Sequence, residues 1–296
     1  MPDVRKLQDH EKRLIVSQAN GLIQKISTDV DYSRNLTKQS FILDVCQKRL
    51  IALLISHIHP NDTEFQEEII SFANFMKFMD ISDGGKQYCK ISESISKLMG
   101  MTFCIEVKPN VFEYYHWIAD GCRIDFNTRQ IHICLSPGLS RFLIDNKKNF
   151  TGYELGFIMN LKKKYSCRLY EFLHSVANFG TIKMTVESFS QKITDNKYSK
   201  AADQKRFVLE PAIEEINNTS DLTVTYECKT TKRSVRGGRE AITGYIFHIT
   251  EKSYEEKQAI MGTWGIDFED ILILSERERP NFPEPEPEFK DTELPF

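Results

Sequence analysis

Between Tyr226 and Ile249 the chain reads YECKTTKRSVRGGREAITGYIFHI, with Lys229, Lys232, Arg233, Arg236 and Arg239 gathered between two runs of alternating apolar residues. Cations at that density neutralise phosphates, an attraction that weakens steeply with salt. A charge run also suits a solvated loop, so the chemistry depends on what lies beside it. The neighbours are basic too: Lys200, Lys205 and Arg206 precede a helical stretch in which Phe207, Leu209, Ile213 and Ile216 can face a core, and Lys162, Lys163 and Lys164 form a triplet. A basic helix start beside a basic loop makes one electropositive face. Pro211 falls inside that helical stretch, where it removes a hydrogen bond; a kink, or the first turn of a second helical segment, accommodates it.

Other chemistry has less to stand on. His57 and His59 form a His-hydrophobe-His triplet, the signature with which rolling-circle nickases hold a divalent metal before a tyrosine cuts DNA. The pair ends a segment of helical period, where positions two apart diverge by about 200° and cannot share a face. No G-x-x-x-x-G-K-[ST] loop, G-x-S-x-G elbow or H-E-x-x-H pair occurs, so neither ATP hydrolysis nor hydrolase chemistry has a local signal. The seven cysteines are scattered with no C-x-x-C pair, which reads as reduced, structural thiols rather than disulfides or zinc ligands. No catalytic residue, cofactor or metal is expected.

These cations need a scaffold, and the chain carries the pattern for two. The net charge of −3 hides a segregation: residues 1–160 balance at 0, residues 161–250 carry +5 and residues 251–296 carry −8. The middle block reads as a polyanion-binding module masked by an acidic tail. No apolar run is long enough to span a membrane and the start lacks a secretory h-region, so a cytoplasmic location is expected.

From Thr37, a candidate N-cap, to Ile58 the apolar residues follow a helical period that Pro60 ends. A short helix at Phe72–Met79, a Gly84-Gly85 turn and a second helix reaching Met99 come next. Strand-like MTFCIEV and YYHWI lead to a hairpin, CRIDFNTRQIHICL, turning at Asn127-Thr128. Three helices and a β-hairpin are the plan of a winged helix. The second half repeats it: one amphipathic stretch from Tyr153 to Gly180, a short helix capped by Thr185, the helical stretch around Pro211, and the basic hairpin. The expected class is α+β, tandem winged helices over residues 1–149 and 150–250. Residues 251–296 hold a short helix and then an acidic, proline-rich tail expected to be largely disordered.

The combination LKKKYSCRLYEFL, RFVLEPAIEEINNTSDLTVTYE and GYIFHI resembles the C-terminal winged helix of plasmid replication initiators, the Rep proteins that bind iterons with two winged helices. SQANGLI, FMKFMDISDGGKQYCKISESISKLM and ICLSPGLSRFLID extend the likeness to the first half, from about Val16 to Ile249. The resemblance implies a protein that binds repeated origin sites, helps open the origin, recruits host helicase, initiator and polymerase factors, and represses its own promoter as a dimer in a bacterial cytoplasm. Laid on this chain, Lys205 and Arg206 would read the major groove, and Lys232 to Arg239 would touch flanking phosphates. In the first unit the equivalents are Lys86, Lys90 and Lys97 on the second helix and Arg129 at the hairpin turn; that unit would also carry dimerisation.

Arg168 and Glu171, three apart, read as an ion pair within a helix. The end of the chain, DTELPF, loosely resembles sliding-clamp-binding peptides, with Leu294, Pro295 and Phe296 as the apolar anchor. A winged-helix transcriptional regulator without an origin role shares every DNA-binding feature and is the alternative; the nickase stands behind it.

Overall fold

The computed structural model describes residues 15–27, 41–59, 62–79, 87–108, 111–144, 150–231 and 241–263. Strand β1 (Ile15–Ala19), α1 (Asn20–Lys25) and β2 (Ile26–Ser27) precede the first core helix, α2 (Val45–Ser56). Its cap is Asp44: the carboxylate accepts from the Gln47 N–H at 2.8 Å and the Gln47 amide oxygen accepts from the Asp44 N–H at 3.0 Å. This reciprocal box fixes the start seven residues later than the period suggests, and Thr37, the expected cap, lies outside the described residues. The overcount has a physical cause. Phe41, Ile42 and Leu43 are buried while outside the helix, so apolar spacing alone includes them.

Strand β3 (Glu68–Ser71), α3 (Phe72–Phe78) and α4 (Gln87–Met99) follow, with Ser71 capping α3. Two hairpins complete the first unit, β4 (Thr102–Lys108) with β5 (Val111–His116), and β6 (Arg123–Asp125) with β7 (Gln130–Ile133). The strand orders are β2-β4-β5 and β3-β7-β6. A short helix, α5 (Ser140–Leu143), ends this half.

The stretch from Tyr153 to Gly180 is not one helix. It comprises β8 (Phe150–Glu154), α6 (Leu155–Asn160) and α7 (Lys164–His174). Leu161 breaks the helix with extended backbone, φ −72° and ψ 134°, while its side chain stays buried, so the hydrophobic period runs on across the break. β8 pairs antiparallel with β1, tying the start of the chain to its middle. Then come β9 (Thr181–Thr185), α8 (Val186–Thr194), α9 (Ala201–Gln204), a π turn (Lys205–Leu209), α10 (Glu210–Thr219), β10 (Leu222–Thr230), β11 (Ile242–Glu251) and α11 (Tyr254–Met261). The sheet order is β10-β11-β9.

One continuous apolar core joins the halves, with Leu50, Ile51 and Leu54 of α2 in the same cluster as Leu169, Tyr170 and Leu173 of α7. A polar knot is buried inside it. Lys48 Nζ lies 2.5 Å from Glu171 Oε1, Gln18 Nε2 donates to the same oxygen at 2.6 Å, and so does the Tyr153 hydroxyl. Glu171 is therefore taken by Lys48 rather than by Arg168. The Arg168 Nε–H donates to the Lys192 carbonyl at 2.9 Å, and its guanidinium lies 5.1 Å from the Phe41 ring centroid. Burial pushes the Arg168 pKa down to about 10, against the pull of Glu171.

Candidate nucleic-acid interface

In the second unit, β9 delivers Thr185 to the N-cap of α8, where its hydroxyl accepts from the Ser188 N–H at 3.0 Å. α8 stops at Asp195 and Asn196, both in left-handed backbone at φ 52° and 60°, conformations that Asp and Asn tolerate better than most residues. The chain thus reverses into the third helical segment, Ala201 to Thr219.

Gln204, fully buried, sets that segment's orientation. Its Nε2 donates to the Val186 carbonyl at 2.9 Å and the Tyr198 carbonyl at 2.8 Å, and its Oε1 accepts from the Tyr245 hydroxyl at 2.9 Å. One amide ties the segment to α8, to the preceding turn and to β11.

The π turn resolves the difficulty at Pro211. The Glu210 N–H bonds back five residues to the Lys205 carbonyl, and Pro211 follows in the first turn of α10, where its missing N–H costs least. The extra residue changes which side chains face inward. Val208, Leu209, Ile213 and Ile216 are buried, but Phe207, expected in the core, is 48% exposed. Its ring stacks on Tyr198, centroids 5.8 Å apart at 25°, with the Arg206 guanidinium 5.2 Å from its centroid.

Around this outer face the cations are disposed unequally. Lys200 is the exposed N-cap of α9 and Arg206 is exposed, whereas Lys205 Nζ lies 3.5 Å from Glu210 Oε1. Lys162 and Lys163 occupy the break before α7. The Lys162 N–H donates to Glu215 Oε1 at 2.7 Å and Lys163 Nζ to the Pro211 carbonyl at 3.1 Å, so both brace α10. Lys164 Nζ sits 4.8 Å from the Tyr165 centroid; partial burial, and then the neighbouring charge of Lys197, lower its pKa.

β10 and β11 pair from Leu222–Glu251 to Thr230–Ile242, and the Thr231 N–H donates to the Ala241 carbonyl at 2.9 Å. Lys232, Arg233, Arg236 and Arg239 lie beyond that bond, outside the described residues. Gly244, opposite Lys229 near the loop end of the hairpin, lies where β11 meets β9. A Cβ there would stand 2.4 Å from the Met184 carbonyl oxygen.

The first unit offers less charge. Lys90 is exposed on α4, Lys97 is engaged by Glu93 at 2.6 Å, and Lys86 is outside the described residues. Arg129 is exposed at φ 56°, and its carbonyl accepts from the Phe72 N–H at 2.9 Å. Leu294, Pro295 and Phe296 also lie outside the described residues. His57 caps the end of α2 with Nδ1 3.4 Å from Glu68 Oε2, and the His59 N–H donates to Asp62 Oδ2 at 2.8 Å. Among the described residues no three His, Cys, Asp or Glu side chains are grouped to hold a metal ion.

Sequence reasoning did not single out Lys197 and Tyr198. Asp195-Asn196 directly ahead of them is a turn signal that could have located this corner.

In the second unit helix, strand, helix, a left-handed turn, a third helix and a hairpin whose return strand pairs with the first strand make a winged helix; in the first unit three helices surround β3, with which β7, the return strand of the β6–β7 hairpin, pairs in the same way. Residues 29–174 match the family model for the first winged helix of initiator replication proteins, and residues 185–249 match that for the second. The chain belongs to this family of two-winged-helix plasmid replication initiators. Among solved structures, the Pi initiator protein in complex with iteron DNA matches 82% of this chain and 99% of its own at 14% identity, TM-score 0.57, and shares the fold. Domains 2–3 of RctB match 81% of this chain and 99% of theirs at 12% identity, TM-score 0.42. No curated protein matches by sequence. No described helix is long and apolar enough to cross a membrane.

Proposed function

We propose that this chain initiates replication of a plasmid by binding repeated sequences at its origin with the second winged helix. The third helical segment, from Ala201, enters the major groove, and the hairpin carrying Lys232, Arg233, Arg236 and Arg239 grips flanking phosphates. The observation that carries this reading is the outward face of that segment: Lys200, Lys205 and Arg206 at its N-terminal half, held by Gln204 against the sheet that presents the hairpin. The Pi relative was solved with iteron DNA, which supports the same class of target here. Bound to several repeats, the protein destabilises neighbouring duplex and recruits host helicase, initiator and polymerase factors; as a dimer held by the first unit, it represses its own promoter. The acidic tail offers Leu294, Pro295 and Phe296 to the sliding clamp.

The test is a mobility-shift titration on fragments of the protein's own replicon at two salt concentrations, beside a Lys205→Ala/Arg206→Ala/Arg233→Ala/Arg236→Ala variant. Tight, repeat-dependent binding that the variant loses supports the initiator. Repeat-independent binding to a promoter fragment alone favours a transcriptional regulator, and equal binding by both proteins removes the basic face from the account.

A further inference from the structure

We infer that Phe207 is a sequence-reading residue that packs against the 5-methyl group of a thymine in the major groove; this rests on the DNA-binding reading above. Phe207, 48% exposed in the π turn while Val208 and Leu209 directly after it are buried, lies outside the core of its own unit. Its position is nonetheless fixed. Tyr198 backs one side of it, and Tyr198 is itself held by Tyr165 at 5.9 Å between centroids and by the bond its carbonyl accepts from Gln204 Nε2. The π turn presents both Arg206 and Phe207 outward.

Charge selects the occupant. Arg206 lies over the ring, Lys197 Nζ lies 5.5 Å from the centroid of the Tyr198 ring that backs it, and Lys200 is exposed in the turn before the segment, so the apolar knob has cations for company. A protein partner with an apolar socket would have to desolvate those cations, whereas phosphates on either side of a groove neutralise them while the groove floor offers methyl groups. Thymine supplies the major groove's apolar contact, and Phe is among the side chains that meet it. Arg206, adjacent, is suited to the acceptor edge of guanine, so the pair would read neighbouring bases.

The experiment replaces each thymine of an origin repeat in turn by deoxyuridine, which removes only the methyl group. Binding of the full chain and of Phe207→Ala and Phe207→Leu variants is measured by fluorescence anisotropy, with thermal melts checking that the variants stay folded. The wild-type protein is expected to lose about fourfold in affinity at one thymine position, the worth of one buried methyl. Phe207→Ala should bind the thymine and deoxyuridine repeats alike while keeping its salt dependence, and Phe207→Leu should retain part of the preference. Equal binding of both bases by wild type at every position overturns the inference and leaves repeat binding standing, as does a preference that survives in Phe207→Ala. Failure of the wild-type protein to bind any repeat overturns both readings.

Discussion

The Tyr245 hydroxyl donates to Gln204 Oε1 at 2.9 Å, linking the return strand of the hairpin to the base of the third helical segment. Both halves of the proposed DNA surface are thereby fixed to one buried amide. Gln204→Leu leaves two carbonyls and a hydroxyl without that partner and should cost about 2–3 kcal/mol in urea unfolding. Tyr245→Phe removes a hydroxyl placed to donate to Gln204 at 2.9 Å and to the Ala201 carbonyl at 3.3 Å, and should cost about 1 kcal/mol. Gln204→Leu should also weaken repeat binding, although Gln204 itself is not exposed to DNA.

Gly244→Ala should destabilise the second unit by about 1–3 kcal/mol, because the new Cβ would meet the Met184 carbonyl 2.4 Å away and force β9 and β11 apart. Thermal melting reads the loss. Gly262→Ala is the control, since a Cβ there meets nothing closer than 3.5 Å.

Asp221 governs an acid-sensitive part of the stability. Burial opposes its charge, but bonds from His174 at 3.3 Å and Tyr170 at 2.9 Å outweigh it and hold the pKa below the ordinary 3.8. A carboxylate with a depressed folded pKa contributes stability in full above its unfolded value and loses it as pH falls through the folded one. Asp221→Asn should therefore be less stable than wild type by about 1–3 kcal/mol at neutral pH, with the gap closing below 3.8. Denaturant melts at a series of pH values check this.

The Lys205–Glu210 contact of 3.5 Å holds a cation back from the DNA face. Glu210→Gln releases it and removes a negative charge, so repeat binding should tighten at low salt. Arg206→Ala, which removes a base contact, should weaken binding by about 1–3 kcal/mol and relax the preference at one guanine, leaving the slope of log K against log salt nearly unchanged. Titration at three salt concentrations separates the two effects.

Lys48→Met strands the buried carboxylate of Glu171 and should cost about 3–5 kcal/mol. Adding Glu171→Gln should recover part of the loss, because the uncompensated charge is then gone. Chemical unfolding of the single and double variants completes the cycle.

Much of the scaffold was legible because its signals are local. Thr185 caps α8 through its own hydroxyl, and α3 and α4 lie where their apolar spacing puts them. What could not be read depended on residues far apart in sequence. Leu161 keeps the hydrophobic period while its backbone leaves the helix, which hid the break in the Tyr153–Gly180 stretch. Arg168 and Glu171 have the spacing of an ion pair, yet Lys48, distant in sequence, takes the carboxylate. Phe207 was misplaced because a five-residue turn changes the phase that a strict α-helical period assumes. At the candidate site the residue types of the basic face were legible, but the occupation of Lys163 by the Pro211 carbonyl and of Lys205 by Glu210 was not.

The knot of Gln18, Lys48, Tyr153 and Glu171 locks α7 to α2 and β1, and α7 in turn packs against α10 of the second winged helix. Side chains from both halves are thereby locked in one interior, so the reach from one third helix to the other is set by packed atoms instead of a tether. Such a molecule is a ruler. If both units read DNA, one base pair inserted between their contacts moves the second target by about 3.4 Å and turns it by about 35° around the duplex, a misfit that no slack in the chain can absorb.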